Sequence, residues 1–441
     1  MDVQHKKELQ QRRQRFMQRI GAGSIAILSS GPTHVRNRDV EYPFRVDSDF
    51  YYLTGFSEPE SIAVLCPGRA RGEFLLFCRE RKPKEEMWSG ERVGPDGARD
   101  IFGADQAFPM GDTDKILPRL MKNRTRVIHA MGRYPAFDQK IIGWTKATGA
   151  RSRKSIGPPS EFVTFDQLLH DMRLFKSPYE IDLIREAAAI SNRAHRRAME
   201  VCRPGIMEYH IQAELTHQFI QSGSHFPAYP PIVASGRNAR ILHYTRNDKM
   251  LEDGDLLLID AGAEYQYYAS DITRTFPVNG TFTPAQRDIY QLVLAAQDAA
   301  IAKARPGNNW EDLHKAAVRV ITEGLVDLGL LKGRVEKLIK KKKYKKFFMH
   351  YTGHWLGLDV HDVGKYRVDR RWRTLEPGMV ITIEPGIYIR DGRKKIPTKW
   401  WDIGVRIEDN ILITKSDPDV ITRALPRTID DIEALVGQGA A

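Results

Sequence analysis

The sequence predicts an α+β protein: an N-terminal α/β domain followed by a larger domain whose sheet is mainly antiparallel. Three observations carry this. Short apolar runs at 25–28, 62–66 and 73–78 alternate with turn residues in the first part of the chain. A boundary falls near Lys176, where SPYE (177–180) forms a capping box with proline at the first helical position. The last hundred residues become strand-rich, in MVITIEPGIYI (379–389) and IGVRIEDNILIT (403–414). The expected domains are 1–175 and 176–441.

Taken in order, stretch 1–20 is basic and somewhat amphipathic, without the apolar core of a secretory signal. Asp2, Glu8 and the absence of serine favour a short leading helix over a mitochondrial transit peptide. Strands are expected at 25–28, 62–66, 73–78 and 126–130, the second and third paired. DSDFYYLTGF (47–56) is aromatic-rich and ends in a turn, and Trp88 stands exposed among charges. A short helix is expected at 116–121, with Pro118 restricting it to a first turn. No Gly-rich phosphate loop or nucleophile elbow is present. Past Lys176 a long helix runs to about 198 and is stopped by Arg203, Pro204 and Gly205. A second, at about 208–223, leads into the irregular link HFPAYPPIVASG. Further helices start at TPAQ (283–286) and at about 309, ahead of the lysine run KKKKYKK (340–346).

Composition excludes several classes. At 41% hydrophobic and 28% charged the chain reads as soluble and globular, and no run approaches the roughly 18 apolar residues of a membrane helix. Cys66, Cys78 and Cys202 are scattered and form no C-x-x-C pair, so they read as ordinary thiols of a reducing cytoplasm. The net charge of +12 raises nucleic-acid binding, but much of the excess sits in the lysine run, which reads as a solvated face.

The chemistry centres on DLLLIDAGAEYQYYASDITRTF (255–276), read as two strands joined by a turn. The apolar run Leu256, Leu257, Leu258, Ile259 ends in Asp260; a second strand carries Asp271, with Thr273 and Thr275 on the same face. Folded back as a hairpin, the pair points Asp260 and Asp271 into one pocket. Two buried carboxylates there repel unless a cation lies between them. The alternative is that both aspartates cap surface turns. Further ligand candidates follow: His354 between His350 and His361, Glu384 at the end of VITI, and Glu408 after VRI with Arg406 on the same face. Four carboxylates and one imidazole are too hard a set for structural zinc and suit Mn²⁺ or Co²⁺. Five such ligands describe a two-metal hydrolytic site with ions roughly 3.5–4 Å apart.

In the motifs DSDFYYLTGF, FKSPYEI, HYTRND, LIDAGAEYQYYASDITRTFPVNG, HWLGLDVHDVG, ITIEPGIY and GVRIEDN, spread over nearly the whole chain, the sequence resembles the creatinase/methionine aminopeptidase superfamily of pita-bread metallopeptidases, and within it bacterial aminopeptidases P. The resemblance implies a pita-bread catalytic domain with a curved, mainly antiparallel sheet. It implies two divalent ions, Mn²⁺ in the first place with Co²⁺ or Zn²⁺ as alternatives. Asp260 would bind one ion, Asp271 and Glu408 would bridge, and His354 and Glu384 would complete the other shell. Glu384 would also act as general base and acid, His361 would stabilise the tetrahedral intermediate, and His243 would sit near the proline nitrogen. His350, Arg406, Val360 and Tyr388 would form the proline pocket, with Arg406 equally able to balance the ligand carboxylates. Trp88 and Asp39 match residues that reach a neighbouring subunit's site, and Arg153 and Arg370 stand as orienting cations or surface arginines. Substrates would be peptides with proline second, and the chain a homodimer or homotetramer. A prolidase restricted to Xaa-Pro dipeptides and a metal-free binding module remain as alternatives, and the complete ligand set weighs against the second. It also weighs against a creatine-type amidinohydrolase.

Overall fold

The computed structural model describes residues 3–149, 157–392 and 396–439. Arg153 lies outside the described residues. The chain divides into two compact units, Met1–Arg173 and Leu174–Ala441.

The first unit opens with helix Val3–Ile20 and holds a six-stranded sheet. Its strand order is Gln106–Pro109, Phe74–Cys78, Ile62–Leu65, Ser24–Ser29, Arg126–Ile128, Glu161–Val163. The middle pairs are antiparallel and the flanking pairs parallel. Apolar strand residues such as Ile25, Ile27, Val64 and Val127 are fully buried, because Leu117 and Met121 of one helix and Ile141 and Trp144 of another pack into the same core. The first of these helices spans Thr113–Met121, so Pro118 lies in its interior instead of its first turn. Proline there removes one backbone hydrogen bond; the burial of Leu117 and Met121 outweighs that loss. DSDFYYLTGF folds as helix Ser48–Thr54, capped by the Asp47 side chain on the Phe50 N–H and ended by Gly55 at φ +65°. Asp49, fully buried, meets Arg173 at 2.7 Å, Arg133 at 2.8 Å and His170 at 3.1 Å. Burial alone would raise its pKa, but these neighbours outweigh burial and hold the carboxyl well below the ordinary range.

The second unit is α+β, and every named strand pair in it is antiparallel. Its long helix is Pro178–Val201, with the reciprocal Ser177/Glu180 capping box in place. Helices Glu208–Gln221, Pro284–Ile301 and Trp310–Asp327 follow, close to their expected bounds. Of the lysine run, Tyr344 is buried and every lysine is exposed. Stretch 255–276 is more elaborate than a single hairpin. Strand Leu256–Asp260 pairs with Thr273–Pro277, but a smaller hairpin, Ala263–Tyr265 with Tyr268–Ala269, is inserted between them. Asp271 therefore precedes the second strand instead of lying in it.

The expected strands 379–389 and 403–414 are each broken in two. Val380–Ile383 pairs with Asp409–Leu412, and Gly386–Tyr388 with Gly404–Arg406, in one continuous register. The break falls at Glu384-Pro385 on one leg and at Ile407-Glu408 on the other. Pro385 has no N–H for the ladder, and the amides of Glu384 and Glu408 bond elsewhere, to the carbonyls of Thr352 (2.8 Å) and Thr273 (3.0 Å).

His195, on the long helix and fully buried, meets the Ala261 carbonyl at 2.8 Å through Nε2. Burial, reinforced by Arg274, lowers its pKa to about 4. The unfolded chain binds a proton there from about pH 6.5 downward, so this histidine's contribution is intact above pH 6.5 and is lost as pH falls towards 4. Denaturant melts at pH 7 and pH 4.5 should show a steeper loss of stability in the wild type than in His195→Gln; equal losses would contradict the assignment.

Candidate metal centre

Asp260 ends strand Leu256–Asp260, paired on one side with Ile232 and on the other with Thr273. Asp271 is held by Asn410, whose amide side chain accepts from its N–H at 3.1 Å and donates to its carbonyl at 2.5 Å. The two legs approach so closely that a Cβ at Gly262 would lie 1.8 Å from the Ser270 carbonyl oxygen. That approach requires glycine and brings both aspartates to one pocket. The His354 backbone exchanges hydrogen bonds with Thr382, and a Cβ on the adjoining Gly353 would meet the Thr382 carbonyl at 2.0 Å. Its Nδ1–H points to the Trp355 carbonyl at 3.0 Å. Nε2 is thereby left facing Asp271 at 3.3 Å and Glu384 at 3.6 Å, the orientation a metal-binding imidazole needs.

These residues line a cavity of about 260 Å³ that also takes in His243, His350, His361, Arg406 and Glu408. Tyr388 stands behind it: Arg406 donates to its hydroxyl at 3.1 Å, and that hydroxyl meets His350 Nε2 at 2.9 Å. Burial, aided by Arg406, lowers the His350 pKa to about 3, so the ring is neutral and its Nδ1–H donates to the Tyr351 carbonyl at 2.7 Å. Arg406 also reaches Asp260 at 2.5 Å and the Thr273 hydroxyl at 3.1 Å. His361 touches His354 edge-on, ring centroids 4.3 Å apart. Val360 and Arg370 are not among the residues lining this cavity; Arg370 sits in the exposed turn before Arg371–Trp372 with φ +64°. In the first unit, Asp39 occupies an exposed turn, and Trp88 is 90% exposed on helix Pro83–Ser89.

Donor atoms of Asp271, His354 and Glu408 all lie within 4.8 Å of one another, a group able to hold a metal ion. The electrostatics fit a cation. Burial, strengthened by Asp271, Glu384 and Asp260, raises the Glu408 carboxyl well above its ordinary range. Burial likewise lifts Glu384 to about 7, against the pull of His354 and Arg406, and Asp260 to about 6, against that of Arg406. Asp271 moves the other way, because His354 outweighs burial. Acids crowded this closely cannot all ionise on protein cations alone, and a bound divalent ion removes that penalty.

Two contributors, Tyr229 and Arg274, were not read from the sequence, and a third, Thr273, was read on the face of Asp271 without a role. The Tyr229 hydroxyl contacts Asp260 at 2.7 Å and Asp271 at 2.5 Å, tying the two together. It lies in the proline-rich link, where nothing in the local pattern marks it. Thr273 donates to Glu408 at 2.6 Å. Arg274, buried in the strand, bonds the Glu408 carbonyl at 2.7 Å and pairs with Asp409 at 2.8 Å. An arginine inside an apolar strand implies a buried acid somewhere, and that signal was available.

Residues 182–415 match the model of metallopeptidase family M24, a span that contains Asp260, Asp271, His354, Glu384 and Glu408. The chain belongs to metallopeptidase family M24. Residues 9–129 of this M24 metallopeptidase also match the N-terminal domain of aminopeptidase P. The chain is 44% identical to the Xaa-Pro aminopeptidase of Escherichia coli K12, over 98% of both chains. Among solved structures, the Pseudomonas aeruginosa aminopeptidase PepP superposes with a TM-score of 0.96 at 55% identity, covering 98% of this chain and 97% of that one. Escherichia coli aminopeptidase P with the inhibitor Pro-Leu gives 0.94 at 44% identity, covering 98% of each.

Proposed function

We propose that the chain is an Xaa-Pro aminopeptidase that releases the N-terminal residue from peptides with proline in second position. The observation that carries this reading is that four carboxylates, Asp271 and Glu408 buried and Asp260 and Glu384 half-buried, line one cavity with His354, in a chain that matches Xaa-Pro aminopeptidases over nearly its whole length. Asp260, Asp271, His354, Glu384 and Glu408 would hold two divalent ions, the trio Asp271, His354 and Glu408 already lying within 4.8 Å of one another. The oxygen-rich donor set favours Mn²⁺ over Zn²⁺. The chemistry that divalent ions supply in such a site is the acidification of water at neutral pH and the polarisation of the carbonyl it attacks.

The chain's own groups do the rest. Glu384 accepts the proton of the attacking water and returns it to the leaving nitrogen, a transfer suited to a carboxylate placed beside the nucleophile. His361, at the mouth, donates to the developing oxyanion. His243 faces the proline nitrogen. His350 and Arg406, backed by Tyr388, form the wall against the ring; Arg406 already bonds Asp260, so it also fixes a ligand carboxylate. Trp88 and Asp39 reach the site of a second copy. The exposure of Met87 (82%) and Trp88 (90%) supports assembly as a homodimer or homotetramer. Three unpaired buried cysteines support a reducing cytoplasm. Among the described residues no helix is long and apolar enough to cross a membrane.

The test is hydrolysis with added Mn²⁺, comparing an Xaa-Pro-Yaa tripeptide with an Xaa-Pro dipeptide and using Asp271→Ala as control. Release of the first residue from the tripeptide, lost in the variant, is expected. Cleavage of the dipeptide alone would make the chain a prolidase with the same site. No cleavage of either, with metal bound, would overturn the substrate assignment.

A further inference from the structure

The loop between His354 and His361 has two feet. The first is fixed by the sheet: the Leu356 N–H bonds the Val380 carbonyl at 3.0 Å, Trp355 bridges to Ile381, and the His354 backbone is paired with Thr382. The second foot ends at His361, whose exposed ring carries no hydrogen bond among the described residues beyond its edge contact with His354. What fixes it is the next residue. The Asp362 N–H donates to the Trp355 carbonyl at 2.9 Å, closing the loop, and its carboxylate receives Lys176 Nζ at 2.9 Å. Both side chains of that pair are buried, at 0% and 1% exposure. The packing leaves no slack. A Cβ on Gly357 would stand 2.2 Å from Asp362 Oδ2 and 2.9 Å from Lys176 Cε. Lys176 is itself pinned, its N–H bonding the Gly378 carbonyl at 2.8 Å just ahead of the strand that leads to Glu384.

We infer that Lys176 and Asp362 are positioning residues for the peptidase reaction: their buried ion pair sets where the His361 imidazole reaches over the metal pocket. The geometry gives the reason. A charge-assisted bond between groups with no room to move fixes a distance more strictly than apolar packing. It acts one residue from a ring that has little else to orient it.

The inference rests on the peptidase reading, and its test separates the two. The double variant K176M/D362L replaces the pair by apolar side chains, a change that tends to preserve stability when both partners go together. Expected are wild-type metal content, a melting temperature close to wild type, and a kcat lower by about 10- to 100-fold with KM little changed. In a His361→Ala background the same replacement should cause no further loss, because its effect passes through that ring. Losses that add in the two backgrounds, or a kcat within about twofold of wild type, would overturn the inference. If the apolar pair does not fold, Lys176→Arg and Asp362→Glu keep the charges and shift the geometry. They should lower kcat only while His361 is present, and additive losses would again overturn it. A wild-type chain that cleaves no Xaa-Pro peptide would sink the peptidase reading instead.

Discussion

Glu384→Gln is expected to lower kcat by about 10³-fold, in the middle of the range that general acid–base groups contribute. The substitution keeps the shape, so the backbone bond from residue 384 to the Thr352 carbonyl and the kink at Pro385 remain. It removes a carboxylate that takes and returns a proton and that also helps to hold a metal ion, so metal content is measured beside kcat. The same change should alter the metal-free protein in the opposite sense. Glu384 is raised to about 7, first by burial and then by Asp271 and Asp260. Its protonated form is therefore favoured by folding: that contribution is whole below about pH 4.3, the unfolded value, and is lost as pH rises through 7. Metal-free wild type should thus lose stability between pH 5 and pH 8, and Glu384→Gln should lose less and melt higher at pH 8. Paired measurements of kcat with Mn²⁺ and of melting without metal check both halves. A kcat within tenfold of wild type at unchanged metal content would remove Glu384 from the role of base.

How much of this was legible in the sequence depends on the range of the interaction. Helix starts were readable because capping is local: Ser177 with Glu180 and Thr283 with Gln286 each contain their own signal within four residues. Strand ends carrying Asp260, Glu384 and Glu408 stood out because a carboxylate closing an apolar run is costly unless compensated. The break at Glu384-Pro385 had a local signal in the proline, but the one at Ile407-Glu408 had none, since it depends on the Glu408 amide finding the Thr273 carbonyl. Nor was the hairpin inserted at 263–269 readable, because Tyr265, Gln266 and Tyr267 suit a turn or a strand edge equally. Tyr229 and the Lys176–Asp362 pair were invisible for the same reason. Their partners lie 31 and 186 residues away in sequence, and nothing near them in the chain announces a match.

The largest effect on stability is expected from Arg274→Met. The Arg274 side chain is wholly buried and pairs with Asp409, itself 1% exposed, at 2.8 Å. Its remaining N–H groups bond the carbonyls of Glu408 (2.7 Å), Thr273 (3.0 Å) and Pro426 (2.9 Å). Asp409 in turn accepts from Thr422 at 2.6 Å and Gln297 at 2.9 Å, so the cation sits at the centre of a satisfied network. Methionine fills much of the volume but leaves the Asp409 carboxylate buried without its cation and those three carbonyls without this donor. Removing one partner of a buried pair costs about 3–5 kcal/mol, which for a unit of this size lowers Tm by roughly 10 °C. The loss should not stay in the core. Arg274 holds the backbone of Thr273 and Glu408 together from behind, and those are the residues whose side chains meet at 2.6 Å in the metal pocket. Metal affinity should therefore fall along with Tm, in a variant that has lost no ligand. Pairing Arg274→Met with Asp409→Leu should recover much of the stability, because both charges are then gone. It should not restore metal affinity, because the donor that locks the Glu408 carbonyl is still missing. Recovery of both together would mean that Arg274 serves only to neutralise Asp409 and that the pocket is held by the sheet alone.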